Sequence, residues 1–326
     1  MRVEAARAAH SILTDELASD VRAGLGHAGQ KTLPSRYLYD DLGSALFDAI
    51  GHLPEYGLTR ADERILRAHA REILRAMRGP GIVAELGSGS GRKTRWLLES
   101  PGAARPVKYF PIDISSAALE RCELELGRLP SVHVEPIEAD YLSGLSQVTA
   151  WRRKDDPLLL LFLGSTIGNF EPGEAVEFLR EVRGRLRPGD GFLLGTDLVK
   201  PAATLVAAYD DALGVTAAFD LNLLRRLNRE LDADFDLDLF RHEARWSAAG
   251  RRVEMHLVAT VAHTVRIRAI DLTVTFRAGE SIWTESSYKY DRGELARISA
   301  ETSFSVAAQW VDREWPFAET LLLAGT

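Results

Sequence analysis

The chain has 326 residues, beyond the usual length of a single domain, so one large or two modest domains are expected. Its composition, 46% hydrophobic and 27% charged, is that of a globular chain and excludes disorder, collagen and coiled coil, while a formal net charge of −7 argues against a nucleic-acid-binding surface. The single cysteine, Cys122, excludes an intramolecular disulfide, the longest apolar run falls well short of the roughly 20 residues that span a bilayer, and Arg2, Glu4 and Arg7 stand where a signal peptide needs apolar residues, so a cytoplasmic protein with no membrane partner is expected.

Strand and helix patterns begin to alternate near Gly81. Ile82 to Leu86 is a short apolar strand that runs into Gly87-Ser88-Gly89-Ser90-Gly91, and an amphipathic stretch with Trp96, Leu97 and Leu98 follows. Val107 to Ile114 is the next strand, with Asp113 near its end, and Ser115 or Ser116 caps a helix through Leu119 and Leu126. Val132 to Ala139 is a third strand that ends on Asp140. The continuous apolar run Leu158 to Leu163 suits a central parallel strand buried on both faces. Glu174 to Leu186 is predicted helical, Arg187-Pro188-Gly189 stops it, and Phe192 to Thr196 is a fifth strand. Such alternation implies an α/β domain with helices on both sides of a parallel sheet.

After Asp197 the alternation breaks. Ala202 to Glu230 reads as mostly helical, interrupted at Gly214, and Arg252 to Phe276, rich in Val, Thr and Ile, reads as a hairpin or meander. A helix from about Arg292 to Glu301 and strands at Val306 to Val311 and Ala318 to Ala324 resume the α/β style. The expected layout is one α/β domain at 61–198 and 289–326, with a second α+β domain formed by 1–60 and 199–288.

Glu85-x-Gly87-x-Gly89-x-Gly91 falls where the first strand turns into the first helix, a place for close backbone approach to a ligand. Asp113 suits the two hydroxyls of a ribose, and Asp140 suits an adenine amino group. The third glycine comes one residue earlier than in the dinucleotide pattern, and the Glu85 carboxylate suits a cationic cofactor better than a pyrophosphate. S-adenosylmethionine is therefore favoured over a nicotinamide dinucleotide, with Lys93 a candidate for the cofactor's carboxylate or simply a solvated helix charge. An NAD(P)-dependent oxidoreductase is the alternative from another class.

Leu163-Gly164-Ser165-Thr166-Ile167-Gly168-Asn169-Phe170 follows the central strand, at the edge where ligands of α/β sheets bind. Asn169 either offers its amide to a carboxylate or amine or caps the next turn. Leu53-Pro54-Glu55-Tyr56 and Thr284-Glu285-Ser286-Ser287 are dense in hydrogen-bonding groups, and the second also reads as a solvated strand end. Together with Ser35-Arg36-Tyr37-Leu38-Tyr39-Asp40, Gly195-Thr196-Asp197-Leu198-Val199-Lys200 and Ala207-Ala208-Tyr209-Asp210-Asp211, these motifs make the chain resemble, over nearly its full length, the S-adenosylmethionine-dependent histidine Nα-methyltransferases of ergothioneine biosynthesis.

That resemblance implies a Rossmann-like class I methyltransferase domain with an inserted substrate-binding domain. It implies that Tyr56, Met255, Glu285 and Ser287 surround the imidazole of L-histidine, and that Asn169 and Tyr209, with Gly164 and Thr166, hold its amino-acid end. It implies a cofactor shell of Tyr39, Gly87, Lys93, Asp113, Asp140 and Tyr141, to which the reading of the glycine loop adds Glu85 and Gly89, and either Tyr39 or water takes up the proton that leaves the amine. The implied product is the trimethylated betaine, hercynine; a same-family enzyme for another amino acid or an aromatic amine is the near alternative. Gly57-Leu58 departs from the family pattern, which has a bulkier pair after Glu55-Tyr56.

No metal is expected, because the eight histidines show no ligand spacing and Cys122 is alone. Asp234 to Asp238 lacks the later glycine and glutamate of a calcium loop and reads as solvated turn acids. His52, His133 and His256 read as packing or surface residues, no nucleophile elbow marks a hydrolase, and a monomer is expected.

Overall fold

Residues 15–325 are described by the computed structural model except for 78, 101–105 and 154–155, so Arg2, Glu4 and Arg7 lie outside the described residues. In chain order the strands are β1 (Lys31–Thr32), β2 (Ile82–Leu86), β3 (Val107–Asp113), β4 (Val132–Val134), β5 (Ile137–Glu138), β6 (Leu158–Phe162), β7 (Gly191–Asp197), β8 (Phe240–Ser247), β9 (Arg252–Ala259), β10 (His263–Ile267), β11 (Leu272–Phe276), β12 (Ser281–Tyr288), β13 (Phe304–Val311) and β14 (Phe317–Ala324). The helices are α1 (Asp41–Ile50), α2 (Gly57–Ala76), α3 (Arg95–Leu98), α4 (Ser116–Leu126), α5 (Tyr141–Trp151), α6 (Pro172–Arg185), α7 (Ala202–Tyr209), α8 (Val215–Glu230) and α9 (Arg292–Glu301). They form two units, Met1–Glu55 with Ala202–Ser286 and Tyr56–Pro201 with Ser287–Thr326.

The larger unit is a sheet in the order β13-β14-β7-β6-β2-β3-β4, with β5 also on β3. Strands β2 to β7 run parallel, whereas β14 lies antiparallel to β7 and β13 antiparallel to β14. Every residue of β2 and β6 is buried, as the unbroken apolar run of β6 requires of a strand covered on both faces. On one face Ala84, Phe162 and Phe192 pack with Phe178 and Val182 of α6. On the other, Val83, Leu159 and Leu161 pack with Leu66 and Ile73 of α2 and with Leu126 of α4. From β2 the chain turns outward to β3 on one side, and from β6 to β7 on the other. The neighbours β2 and β6 therefore mark the switch point of the sheet, where loops diverge and leave a crevice for a ligand.

Two elements differ from expectation here. The strand expected over 132–139 is broken into β4 and β5, because Pro136 between them has no N–H for the ladder with β3. The amphipathic stretch after the glycine loop is only the single turn α3.

The smaller unit carries the sheet β1-β12-β9-β8 and the separate hairpin β10-β11. The expected hairpin over 252–276 is thus divided, since β9 pairs with β8, a strand that the alternation did not reveal. The stretch expected to be mostly helical over 202–230 is α7 and α8, broken at Gly214. Thr284 to Ser287, open to a solvated reading, belongs to the buried strand β12. Among the described residues no helix is long and apolar enough to cross a membrane.

Gly57, where the resemblance leads one to expect a bulkier residue, is the first residue of α2 and lies against the indole of Trp315. A Cβ there would meet Trp315 Cε3 at 2.2 Å, so the ring fills the space a side chain would need. Trp315 is held in turn by its Nε1, which donates to Asp197 Oδ1 at 3.0 Å. Gly57→Leu is therefore expected to destabilise the chain by about 1–3 kcal/mol through overpacking, read as a lowered urea midpoint at unchanged slope. An unchanged midpoint would mean that the indole moves freely.

Candidate functional site

The glycine loop after β2 and the 164–169 turn after β6 leave the carboxyl ends of adjacent parallel strands. In the first, Gly89 sits at φ +54°, with open space where a Cβ would stand, and its N–H donates to Asp113 Oδ2 at 3.0 Å. Asp113 Oδ1 accepts from Ser115 N at 2.9 Å, and Ser115 caps α4. Burial raises the Asp113 pKa against these bonds. Asp140 caps α5, its Oδ1 accepting from Leu142 N and Ser143 N, and the capped helix starts with Tyr141, whose ring lies beside Gly87 and against Phe162.

Glu85, at the end of β2, is buried. The residue is 2% exposed, and Oε2 accepts from Thr94 Oγ1 at 2.5 Å and from the Tyr109 hydroxyl. Burial raises its pKa to about 7. The contacts make it a brace between β2, β3 and the segment after the loop.

Lys93 Nζ pairs with Asp62 Oδ2 at 2.7 Å, and the same oxygen accepts from Gly164 N at 2.9 Å. Asp62, on α2, was not singled out in the sequence, yet it ties the lysine of one loop to the first residue of the other. Burial opposes the charge on Lys93, but Asp62, Glu85 and Glu319 outweigh it and raise its pKa. Glu319, on β14, is fully buried and neither of its carboxyl oxygens meets a donor. Burial and then the Asp62 charge push its pKa well above the ordinary carboxylate range, which favours its protonated form beside Asp62.

Gly164 at φ +70° and Ser165 at φ +59° are consecutive left-handed residues at the end of β6. For Ser165 that conformation costs about 1–2 kcal/mol. It is held by the Asp197 N–H, which donates to Ser165 Oγ at 2.9 Å. Thr166 follows, its Oγ1 donating to Leu163 O, and Asn169 closes the 3₁₀ turn half-buried. The N-cap of α6 is Glu171.

A second cluster in the same unit surrounds Ser287. Lys289 Nζ donates to Ser287 Oγ at 2.8 Å and lies 3.1 Å from Asp197 Oδ2 in an ion pair without hydrogen-bond angles. Asp197 Oδ1 also accepts from Lys200 Nζ, whose pKa burial lowers to about 8 despite that carboxylate. Tyr56, 5% exposed, immediately precedes α2.

In the smaller unit, the Tyr39 hydroxyl donates to Glu285 Oε1 at 3.4 Å, so two of the expected residues stand together. The Tyr39 ring packs edge-on against Phe47 and Phe219. The next residue, Asp40, caps α1 and accepts from Asn222 and Arg229 of α8. Glu285 is 7% exposed, and Met255 lies buried on the neighbouring strand β9, where its carbonyl accepts from Thr284 Oγ1.

Tyr209 ends α7, and its carbonyl accepts from His242 Nε2 at 2.7 Å while His242 Nδ1 meets Asp220 Oδ2 at 2.7 Å. Both ring nitrogens face acceptors, so His242 is held as the cation. Burial opposes this, but Asp220 prevails and its pKa is raised. The stabilisation is complete below the unfolded value of about 6.5 and is lost as pH rises through the higher folded value. Urea unfolding is expected to show this loss between about pH 6 and about pH 9 in the wild type, and a smaller one in His242→Gln. Equal losses in the two would contradict the ion pair. His256 is buried and stacked on Trp283, whereas His52 and His133 are exposed.

Among the described residues no group of three or more His, Cys, Asp or Glu side chains is arranged to hold a metal ion. The open face of Gly89, the Asp113 carboxylate and the ammonium of Lys93 fit a cofactor with a ribose and a carboxylate.

Residues 17–324 match the family described as histidine-specific methyltransferase, SAM-dependent. The chain is 43% identical over 309 residues to a "Histidine N-alpha-methyltransferase" of Mycolicibacterium smegmatis, covering 94% of each chain, and matches one of Mycobacterium tuberculosis to the same extent. It is 29% identical over 290 residues to "Ergothioneine biosynthesis protein 1" of Neurospora crassa, covering 86% of this chain and 32% of that one. The oxidoreductase alternative falls with these matches. The chain belongs to the histidine-specific, S-adenosylmethionine-dependent methyltransferases.

Proposed function

We propose that the chain methylates the α-amino nitrogen of L-histidine three times, giving hercynine, the first step of ergothioneine biosynthesis. The observation that carries this reading is Glu285, a buried carboxyl beside the Tyr39 hydroxyl and two residues from Ser287 on one strand, a polar set suited to an imidazole. A site of this kind penalises rings that lack N–H groups, because its own polar atoms are then left unpaired.

S-adenosylmethionine, when bound, supplies a methyl group already activated by its sulfonium charge, so the protein's task is alignment rather than covalent catalysis. Asp113 accepts from the ribose hydroxyls, Lys93 holds the carboxylate, and Gly87, Gly89, Asp140 and Tyr141 complete that shell. Asn169 and Tyr209, with Gly164 and Thr166, orient the amino-acid end of histidine, while Tyr56, Met255, Glu285 and Ser287 enclose the ring. Each round needs a neutral amine, because an ammonium has no lone pair. Tyr39, whose hydroxyl donates to Glu285, is by that bond a better acceptor for the proton the amine sheds.

Incubation of the full chain with S-adenosylmethionine and each of the common amino acids, read by mass spectrometry, tests this. Histidine alone should gain one, two and then three methyl groups. Methylation of another amino acid in preference to histidine would overturn the reading.

A further inference from the structure

Glu319 is fully buried, and the chemistry proposed so far makes no use of it. Its place is made by a glycine. Gly195 is its direct partner on β7, and a Cβ there would stand 2.7 Å from Glu319 Oε1 and 3.2 Å from Gly164 N, so the carboxyl occupies volume that another residue at 195 would fill. Leu321, two positions on and thus on the same face of β14, packs in one core cluster with Leu66 of α2, the helix that carries Asp62. On that face the carboxyls of Glu319 and Asp62 come within hydrogen-bonding reach. Two carboxylates have no hydrogen to give, so a bond between them needs one proton. Asp62 Oδ2 already accepts from Lys93 Nζ and Gly164 N, whereas Asp62 Oδ1 and both oxygens of Glu319 are buried and meet no donor among the described residues. The anion is best stabilised where the donors are, on Asp62, and the proton belongs on Glu319. We propose that Glu319 is a positioning residue for the cofactor: protonated, it donates to Asp62 Oδ1 and so fixes the carboxylate whose other oxygen joins Lys93 to Gly164.

That proton also sets the charge the cofactor meets. With Glu319 protonated, Asp62 and Lys93 balance each other. With both acids ionised, two carboxylates would face one ammonium and repel the carboxylate of an approaching cofactor. Asp62 takes one of the three ammonium hydrogens, and Lys93 keeps 24% of its side-chain surface exposed, where a ligand oxygen can reach it. Glu85 also acts on this cluster, but its Oε2 is turned to Thr94 and Tyr109.

This inference rests on the reading of Lys93 as the group that holds the cofactor's carboxylate, and one set of measurements separates the two. Calorimetric titration of the full chain uses S-adenosylhomocysteine and 5′-methylthioadenosine, a nucleoside thioether without the carboxylate. Lys93→Met and Glu319→Met should each bind S-adenosylhomocysteine about tenfold more weakly, with 5′-methylthioadenosine affinity within about twofold of wild type. Glu319→Gln, whose amide donates to Asp62 in place of the acid, should recover most of that loss. The infrared difference between wild type and Glu319→Gln near neutral pH should contain the carbonyl band of a carboxylic acid. A carboxylate band in its place overturns the inference even if Glu319→Met does not fold, as does a Glu319→Gln that binds no better than Glu319→Met. An equal loss for both ligands in Glu319→Met, which a merely structural role would give, also overturns it. Unchanged S-adenosylhomocysteine affinity in Lys93→Met sinks the lysine reading, and the inference with it, whatever the infrared band.

Discussion

Glu285→Ala is expected to weaken histidine binding by about 1.5–3 kcal/mol, roughly tenfold to a hundredfold, the range for a hydrogen bond to a charged group. The residue is 7% exposed, so water compensates poorly for the loss of its carboxyl, and the Tyr39 hydroxyl loses a partner with it. Glu285→Gln keeps an acceptor oxygen and should lose less. Titration calorimetry in the presence of S-adenosylhomocysteine reads both variants. Cofactor affinity should stay within about twofold of wild type, because the expected cofactor contacts with Asp113 and Lys93 are left in place. Unchanged histidine affinity in Glu285→Ala would remove this residue from the ring.

The second large effect is expected at Asp62. Its Oδ2 accepts from both Lys93 Nζ and Gly164 N, so Asp62→Ala unpairs an ammonium and orphans a backbone N–H in one step. Breaking a buried ion pair costs about 3–5 kcal/mol. Lys93 keeps 24% of its side-chain surface exposed and Glu319 can ionise in place of Asp62, which brings the expected loss of stability to about 2–3 kcal/mol. Because Lys93 and Gly164 lie on different loops, affinity for S-adenosylhomocysteine and for histidine should fall together, by about tenfold each. Asp62→Asn retains an acceptor for Gly164 N but not the charge, so it should recover histidine affinity more than cofactor affinity. Loss of stability with both affinities intact would reduce Asp62 to a packing residue.

What the sequence revealed follows from local pattern. β2 and β6 are unbroken apolar runs, and such runs announce buried parallel strands without any tertiary information. The glycine loop and the acidic strand ends were legible for the same reason, while the roles proposed for Tyr39 and Glu285 come from a resemblance of whole motifs. Asp62 was not legible: it is one charged residue in a helix of many, and its partner Gly164 lies 102 residues away. Glu319 and Lys289 look equally like solvated charges until the fold buries them among carboxylates. β8, whose sequence contains Arg241, His242, Glu243 and Arg245, lacks clean alternation because ion pairs cover its polar positions. His242 escaped notice because its role, pinning the end of α7, exists only once α8 brings Asp220 to it.

The most direct measurement is a crystal structure of the chain with S-adenosylhomocysteine and histidine bound together. A Glu285 carboxyl oxygen should accept from one ring nitrogen and the Ser287 hydroxyl should hydrogen-bond to the other, each at about 2.7–3.2 Å. A histidine ring bound away from both side chains would contradict the account.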